Sequence, residues 1–195
     1  MPQIATATTT PTYTSILKFQ EAINSQALAI PITGSDLGHL ALVISDTDYN
    51  SVNNNVNFVA PVSPGLTPVH ANGATAAQIA ETNRIFSVDT TRFEVFQNTR
   101  TQLRNLILNA VPDKYTNSLK NKVTQYNNVT PLRLITYLTA KYGTVTESDL
   151  TANYDRMTAP WNPPTPIEVL FEQLKEGQEF ASEGAEAILN PPPHF

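Results

Sequence analysis

Residues 130–181 constrain the possible fold more than any other part of the chain. This stretch contains three segments in which apolar residues recur at steps of three and four, the spacing of one face of a helix. Residues that start or stop helices bound each segment. Thr130 followed by Pro131 is typical of a helix N-terminus, and Gly143 supplies a C-terminal stop. The pattern predicts three amphipathic helices joined by tight turns.

The apolar residues of the third segment predict either the core of a C-terminal unit or the face through which it assembles. They comprise a tryptophan between two proline clusters and four residues that share one helix face: Trp161, Ile167, Leu170, Phe171 and Leu174. We interpret Trp161 as a packing anchor, with ligand stacking as the alternative. If Phe171 is core, its replacement by Ala costs about 3–5 kcal/mol.

The patterns in the rest of the chain predict a mainly α protein, except for one segment that lacks helical spacing. Apolar spacing predicts a helix over 13–30, and a capping-box sequence at Thr75 opens one long helix, or two in succession, up to residue 111. Residues 38–61 lack helical spacing and predict a short extended or β segment. We expect disordered tails at 1–11 and 191–195, and two helical lobes at 12–111 and 112–190.

Composition excludes several classes of protein. The 195 residues include no cysteine, so disulfides, iron–sulfur clusters and cysteine-based zinc sites are excluded. The N-terminus lacks the basic and apolar regions of a secretory signal, and no apolar run approaches the ~20 residues of a membrane span. We therefore expect a cytoplasmic protein without a membrane partner.

Reactive groups are sparse. The three histidines, His39, His70 and His194, lie in different irregular segments, where we expect loop or surface positions rather than a metal site. Nucleophile-elbow and phosphate-binding glycine motifs are absent. Glu172 and Glu176 lie one helical turn apart, on a face that favours solvation over acid–base chemistry. We expect no enzyme activity, no cofactor and no metal.

Basic and acidic residues are concentrated in different parts of the chain. Residues 84–141 hold nine basic and three acidic residues, whereas residues 142–195 hold two basic and nine acidic residues. Opposite patches on one molecule suit head-to-tail association between copies, although ordinary solvated helix faces give the same pattern. Weak nucleic-acid contacts would come from six basic residues: Arg84, Arg92, Arg100, Arg104, Lys120 and Lys122. Tight binding is disfavoured because the protein is acidic and Phe86 belongs to an apolar stripe.

Several stretches, in order, resemble one family. They are LGHLALVISDTDYNSV, NFVAPVSPG, the run from TQLRNLILNAVPDKY to ESDLTANYDRM, and APWNPPTPIEVLFEQLKEGQEFA, together covering about 35–181. Their order, with the phrases YGTVT and PIEVLF, resembles the Gag polyprotein of copia-type long-terminal-repeat retrotransposons, particularly lineages of diatoms and other algae.

The resemblance implies a retroelement capsid-like helical bundle, commonly split into two lobes. Such a protein assembles with copies of itself into virus-like particles around the element RNA. The family normally continues into a basic, cysteine-containing zinc knuckle, and this chain has no cysteine. RNA is therefore expected to be at most a weak partner. The alternative function is a monomeric helical binding module, a domesticated Gag that captures a protein or nucleic acid.

Overall fold

The structure, a computed structural model, describes residues 11–160, 162 and 164–189, and this part of the chain is mainly helical. The predicted mainly α class is confirmed. The α-helices, in chain order, are α1 (Tyr13–Ala29), α2 (Asp46–Val52), α3 (Ala76–Ala110), α4 (Pro131–Tyr142), α5 (Glu147–Thr158) and α6 (Ile167–Leu189). Short 3-10 turns occupy Leu40–Leu42, Asp113–Tyr115 and Asn117–Leu119. Trp161, residues 1–10 of the predicted N-terminal tail and the tail at 191–195 lie outside the described residues.

Side-chain caps explain where most helices begin. The threonines that precede α1, α3 and α5 each accept a hydrogen bond from the backbone N–H three residues on, and the side chain at that position bonds back to the cap. The Thr130 side chain caps α4 by accepting a hydrogen bond from the Arg133 N–H, and Pro131 lies in the first turn of this helix. Each cap satisfies N–H groups that have no partner inside the helix.

One hydrophobic core joins α1, the C-terminal half of α3, and α4. Its fully covered members come from all three helices and include Phe19, Ile23, Leu103, Ile107 and Leu138. The core therefore contains residues from both sides of the predicted lobe boundary at residue 112. Helices α5 and α6 pack mainly on each other. The packing thus places α4 with the N-terminal helices, and the division into two lobes stays a prediction.

The loop after α1 folds back onto the end of that helix. His39 lies at this point and is fully buried; its backbone N–H donates to Ala27 O over 2.9 Å, and its Nδ1 lies 2.9 Å from Ile30 O. The ring stacks on Phe96, which stacks in turn on Phe58. His39 is therefore a core residue, whereas its irregular sequence context suggested a loop or surface position.

Residues 38–61 are not a strand, and the β interpretation of this segment is wrong. Leu40–Leu42 is a 3-10 turn and Asp46–Val52 is α2, which Ser45 caps by accepting from the Asp48 N–H over 3.1 Å. Of the apolar run at 40–44, Leu40, Val43 and Ile44 are buried in the helical core, and Ala41 and Leu42 pack against it partly exposed. Residues from 56 to 61 have no regular structure.

Helix α3 runs unbroken for 35 residues. The β-branched residues at its middle made a break plausible from the sequence. Thr90 and Thr91 instead direct their hydroxyls to the carbonyls of Phe86 and Ser87, at 2.8 and 2.9 Å, and the helix continues. All its buried residues lie from Phe96 onward, so the N-terminal half extends beyond the core.

The α5–α6 pair is held by polar contacts at a close approach of the two helices. The Asn153 side chain is buried and donates to Gly177 O over 2.8 Å, and its Oδ1 accepts from Arg156 over 2.9 Å. Gln173 donates to the Arg156 carbonyl. A Cβ on Gly177 would meet the Met157 side chain, so glycine permits this approach. Phe180 packs edge-on against the ring of Tyr13 on α1.

Candidate interaction surfaces

The apolar residues predicted as the core of the C-terminal unit lie largely on its surface. Ile167 is 47 % exposed, Phe171 is 63 % exposed and Leu174 is 37 % exposed. Leu170, by contrast, is half-buried. The core interpretation is therefore wrong for Phe171 within a single chain, because α5 contacts a different face of α6, at Gln173 and Gly177. We name Ile167, Phe171 and Leu174 the α6 apolar stripe, and its role in assembly stays a prediction.

Carboxylates form a second exposed row on α6, about 110° around the helix from this stripe. Glu168, Glu172 and Glu179 fall within about 40° of one another around the helix, at roughly 100° per residue, and all are exposed. Glu179 lies 3.9 Å from Lys175, and neighbouring Glu176 lies 3.5 Å from Arg156. Exposed pairs at such distances contribute little, so α6 presents a net acidic surface. We name Glu168, Glu172 and Glu179 the α6 acidic row.

The four arginines predicted as weak nucleic-acid contacts do not share a face of α3. Arg84 and Arg104 are separated by about 160° around the helix. Arg84 forms an ion pair with Glu81 at 2.8 Å, a contact that raises the pKa of the guanidinium and lowers that of the carboxyl. Arg104 donates to the Asn127 carbonyl over 3.0 Å. Arg92 is exposed and Arg100 is half-buried.

A second basic region lies on the segment between α3 and α4 and on α4 itself. Lysine ammonium groups there lie over tyrosine rings: Lys114 is 4.7 Å from the Tyr115 ring, Lys120 is 5.8 Å from the Tyr126 ring, and Lys141 is 5.4 Å from the Tyr137 ring and 5.5 Å from the Tyr142 ring. The Tyr115 and Tyr142 rings meet edge to face at 5.2 Å. We name these seven residues, together with Arg133, the Lys–Tyr surface.

Hydrogen bonds fix the centre of the Lys–Tyr surface. The Tyr137 hydroxyl accepts from Lys141 Nζ over 3.0 Å and from the Ser118 hydroxyl, which ties α4 to the turn at Asn117–Leu119. The hydrogen bond from Lys141, followed by that from Ser118, lowers the pKa of Tyr137. The same bond to Tyr137 raises the pKa of Lys141. The raised pKa favours the charged ammonium of Lys141, and the lowered pKa favours the phenolate of Tyr137.

Sequence reasoning found only part of this surface. Lys120 was among the predicted nucleic-acid contacts, and it lies here; Lys122 is exposed in the adjacent turn. The signal that was missed is the spacing of Arg133, Tyr137 and Lys141, which recur every four residues on the exposed side of α4.

A cleft of about 560 Å³ opens between the loop at 32–35, the irregular chain at 56–64 and α3. Asp89 and Arg92 reach its wall from α3, and Tyr49 and Phe58 line its inner side. Within the described residues, no three His, Asp or Glu side chains converge as a metal site would require. At the inner end of the cleft the Ser35 hydroxyl lies 2.9 Å from the Tyr49 hydroxyl.

Among the described helices, none combines the length and apolar character needed to cross a membrane. Comparisons of the chain with protein-family models, with curated proteins and with solved structures give no match.

Proposed function

We propose that this chain is a structural protein that assembles with copies of itself in the cytoplasm. In this role it would act as the Gag capsid subunit of a copia-type retrotransposon and form virus-like particles. The element RNA would be a weak partner, and the chain would perform no catalysis. The proposal draws on the ordered sequence stretches at 35–181 that resemble this family.

The observation that carries the proposal is the α6 apolar stripe. Three large apolar side chains at helical spacing lie exposed on a helix that packs against α5 through a different face, which includes Gln173 and Gly177. Contiguous apolar surface on one face is more typical of an interaction site than scattered single residues are. A second copy that covered the stripe would remove Phe171 and its neighbours from water and would gain the corresponding hydrophobic free energy.

Sedimentation velocity over a range of concentrations tests the proposal, with negative-stain electron microscopy of the concentrated sample. We expect oligomers or particles that grow with concentration. The Phe171→Ala variant should shift this assembly to higher concentration. Leu66→Ala is the matched control, because Leu66 is 94 % exposed in the irregular chain before α3 and also loses an apolar side chain.

A wild-type chain that stays strictly monomeric at high concentration would contradict self-assembly. That result, together with retention of another protein or of RNA by the monomer, would favour the alternative of a domesticated binding module. Equal effects of Phe171→Ala and Leu66→Ala would show that the α6 apolar stripe has no special part in assembly.

A further inference from the structure

The Lys–Tyr surface is unusually basic for this acidic protein. Residues 112–141 hold five basic residues against Asp113 alone, in a chain whose net charge is −5. Lys120, Arg133 and Lys141 are exposed, and no carboxylate within the described part of the chain forms an ion pair with any of them. The surface therefore presents positive charge to the exterior.

The structure holds Lys120 and Lys141 in place before any partner arrives. Lys141 contacts two rings and the Tyr137 hydroxyl, and Lys120 lies over Tyr126. Long side chains that are already ordered lose less conformational entropy on binding. The arrangement is thus organised to receive anionic groups.

The same contacts decide between two kinds of anionic partner. Nucleic acids that bind as single strands stack their bases on open aromatic faces. Here Tyr126, Tyr137 and Tyr142 are half-buried and their rings are approached by lysines, so they do not provide a stacking platform. Carboxylates, which need only ammonium, guanidinium and hydroxyl donors, fit this surface better.

The chain itself carries the matching carboxylates. Glu172 and Glu179 are exposed on α6, and two helical turns separate them by about 10.5 Å along the axis. On α4, Arg133 and Lys141 are separated by about 12 Å. Two helices that run side by side could therefore bring both acidic groups opposite both basic groups.

We propose that the Lys–Tyr surface of one copy binds the α6 acidic row of a second copy. The inference rests on the proposed self-assembly and specifies one contact within it. Repeated head to tail, this contact generates rings or open chains, whereas two reciprocal contacts of the same kind close a two-fold dimer. The centre of the α6 apolar stripe lies about 110° around α6 from the acidic row, at roughly 100° per residue, so the stripe forms a separate face beside this contact.

Reciprocal charge reversal tests the contact. The variant R133E/K141E makes the basic surface acidic, and the variant E172K/E179K makes the acidic row basic. We expect each variant alone to weaken association at least about tenfold, because its two surfaces then repel each other. An equimolar mixture should regain association, since every surface again meets one of opposite sign. Sedimentation velocity measures all three samples, and circular dichroism verifies that each variant is folded.

The matched control is R92E/R100E, which reverses two arginines on α3 outside the Lys–Tyr surface. An equal loss of association in this variant would overturn the proposal, because it would trace the effect to net charge. Variants that associate as the wild type does, or a mixture that stays dissociated, would also overturn it while leaving self-assembly intact. If R133E/K141E assembles normally but loses a gel shift with single-stranded RNA, the surface binds nucleic acid and the proposal fails. A monomeric wild-type chain would refute self-assembly itself.

Discussion

Replacing Phe171 with Ala separates two roles that an apolar side chain at this position could have. The sequence pattern allowed Phe171 to be core, whereas the structure leaves the residue 63 % exposed. A core residue contributes to the stability of the single chain. An interface residue contributes chiefly to association between chains.

The expected cost in stability follows from the exposed fraction. Complete burial of a phenylalanine side chain gains about 1.5–3 kcal/mol. Only about a third of Phe171 is covered, so this term falls to about 0.5–1 kcal/mol. Alanine is also the better helix former, by up to about 0.7 kcal/mol. We therefore expect Phe171→Ala to lower the free energy of unfolding by less than about 1 kcal/mol.

Urea denaturation followed by circular dichroism measures this free energy, at a concentration where the chain is monomeric. Leu138→Ala is the reference, because Leu138 is 1 % exposed in the core between α1, α3 and α4. Removal of such a side chain costs about 2–5 kcal/mol. The two variants should therefore differ clearly in denaturation midpoint.

A loss of about 3 kcal/mol or more for Phe171→Ala would refute this reasoning. It would mean that Phe171 is enclosed within one chain, and that α6 packs differently from the arrangement described above. A small loss with unchanged assembly would instead confine the error to the assignment of the interface.

Three further predictions concern single contacts. Gly38→Ala should destabilise the protein more than Gly34→Ala. Both residues have positive φ, but a Cβ at Gly38 would lie 2.6 Å from two backbone carbonyl oxygens, whereas a Cβ at Gly34 would meet open space. Thermal denaturation of the two variants tests this difference. Asn153→Ala should cost about 1–3 kcal/mol and speed hydrogen exchange in α6, because Gly177 O loses its donor, while exposed Asp155→Ala should do neither. Tyr137 should ionise at lower pH than an ordinary tyrosine, and Lys141→Gln should raise its pKa again. Because folding lowers the pKa of Tyr137, ionised Tyr137 stabilises the folded state above the ordinary tyrosine range, and this stabilisation is lost as the pH falls through the lowered pKa. The difference in phenolate absorbance between the wild type and Tyr137→Phe measures the ionisation of Tyr137.

Local signals predicted the helices well, because the information for a helix end lies within a few residues. The threonine caps expected at Thr75 and Thr130 both occur, and α1 buries the face that its spacing indicates. Proline and glycine at the ends of α4 also have the expected positions. Each of these features depends on contacts within one or two turns of chain.

Features that depend on distant contacts were not predictable in the same way. Leu40–Leu42 is a 3-10 turn that packs on the helical core together with buried Val43 and Ile44, an environment that no local pattern records. The spacing on α6 identified an apolar face but not whether α5 would cover it. The Lys–Tyr surface depends on the hydrogen bond between the side chains of Ser118 and Tyr137, which lie 19 residues apart in the sequence. The exposed surfaces are therefore a product of tertiary packing.

The length of α3 gives this protein a mechanical property. The buried residues of α3 begin at Phe96, about 30 Å along the axis from its N-terminus at Ala76, at 1.5 Å per residue. A tilt of about 10° at the aromatic stack around Phe96 would displace the far end by about 5 Å, the rise of one helical turn. The N-terminal half of α3 thus projects from the stack of His39, Phe96 and Phe58, which anchors the helix at the edge of the core. Small changes in the packing of those three rings would be magnified at its tip.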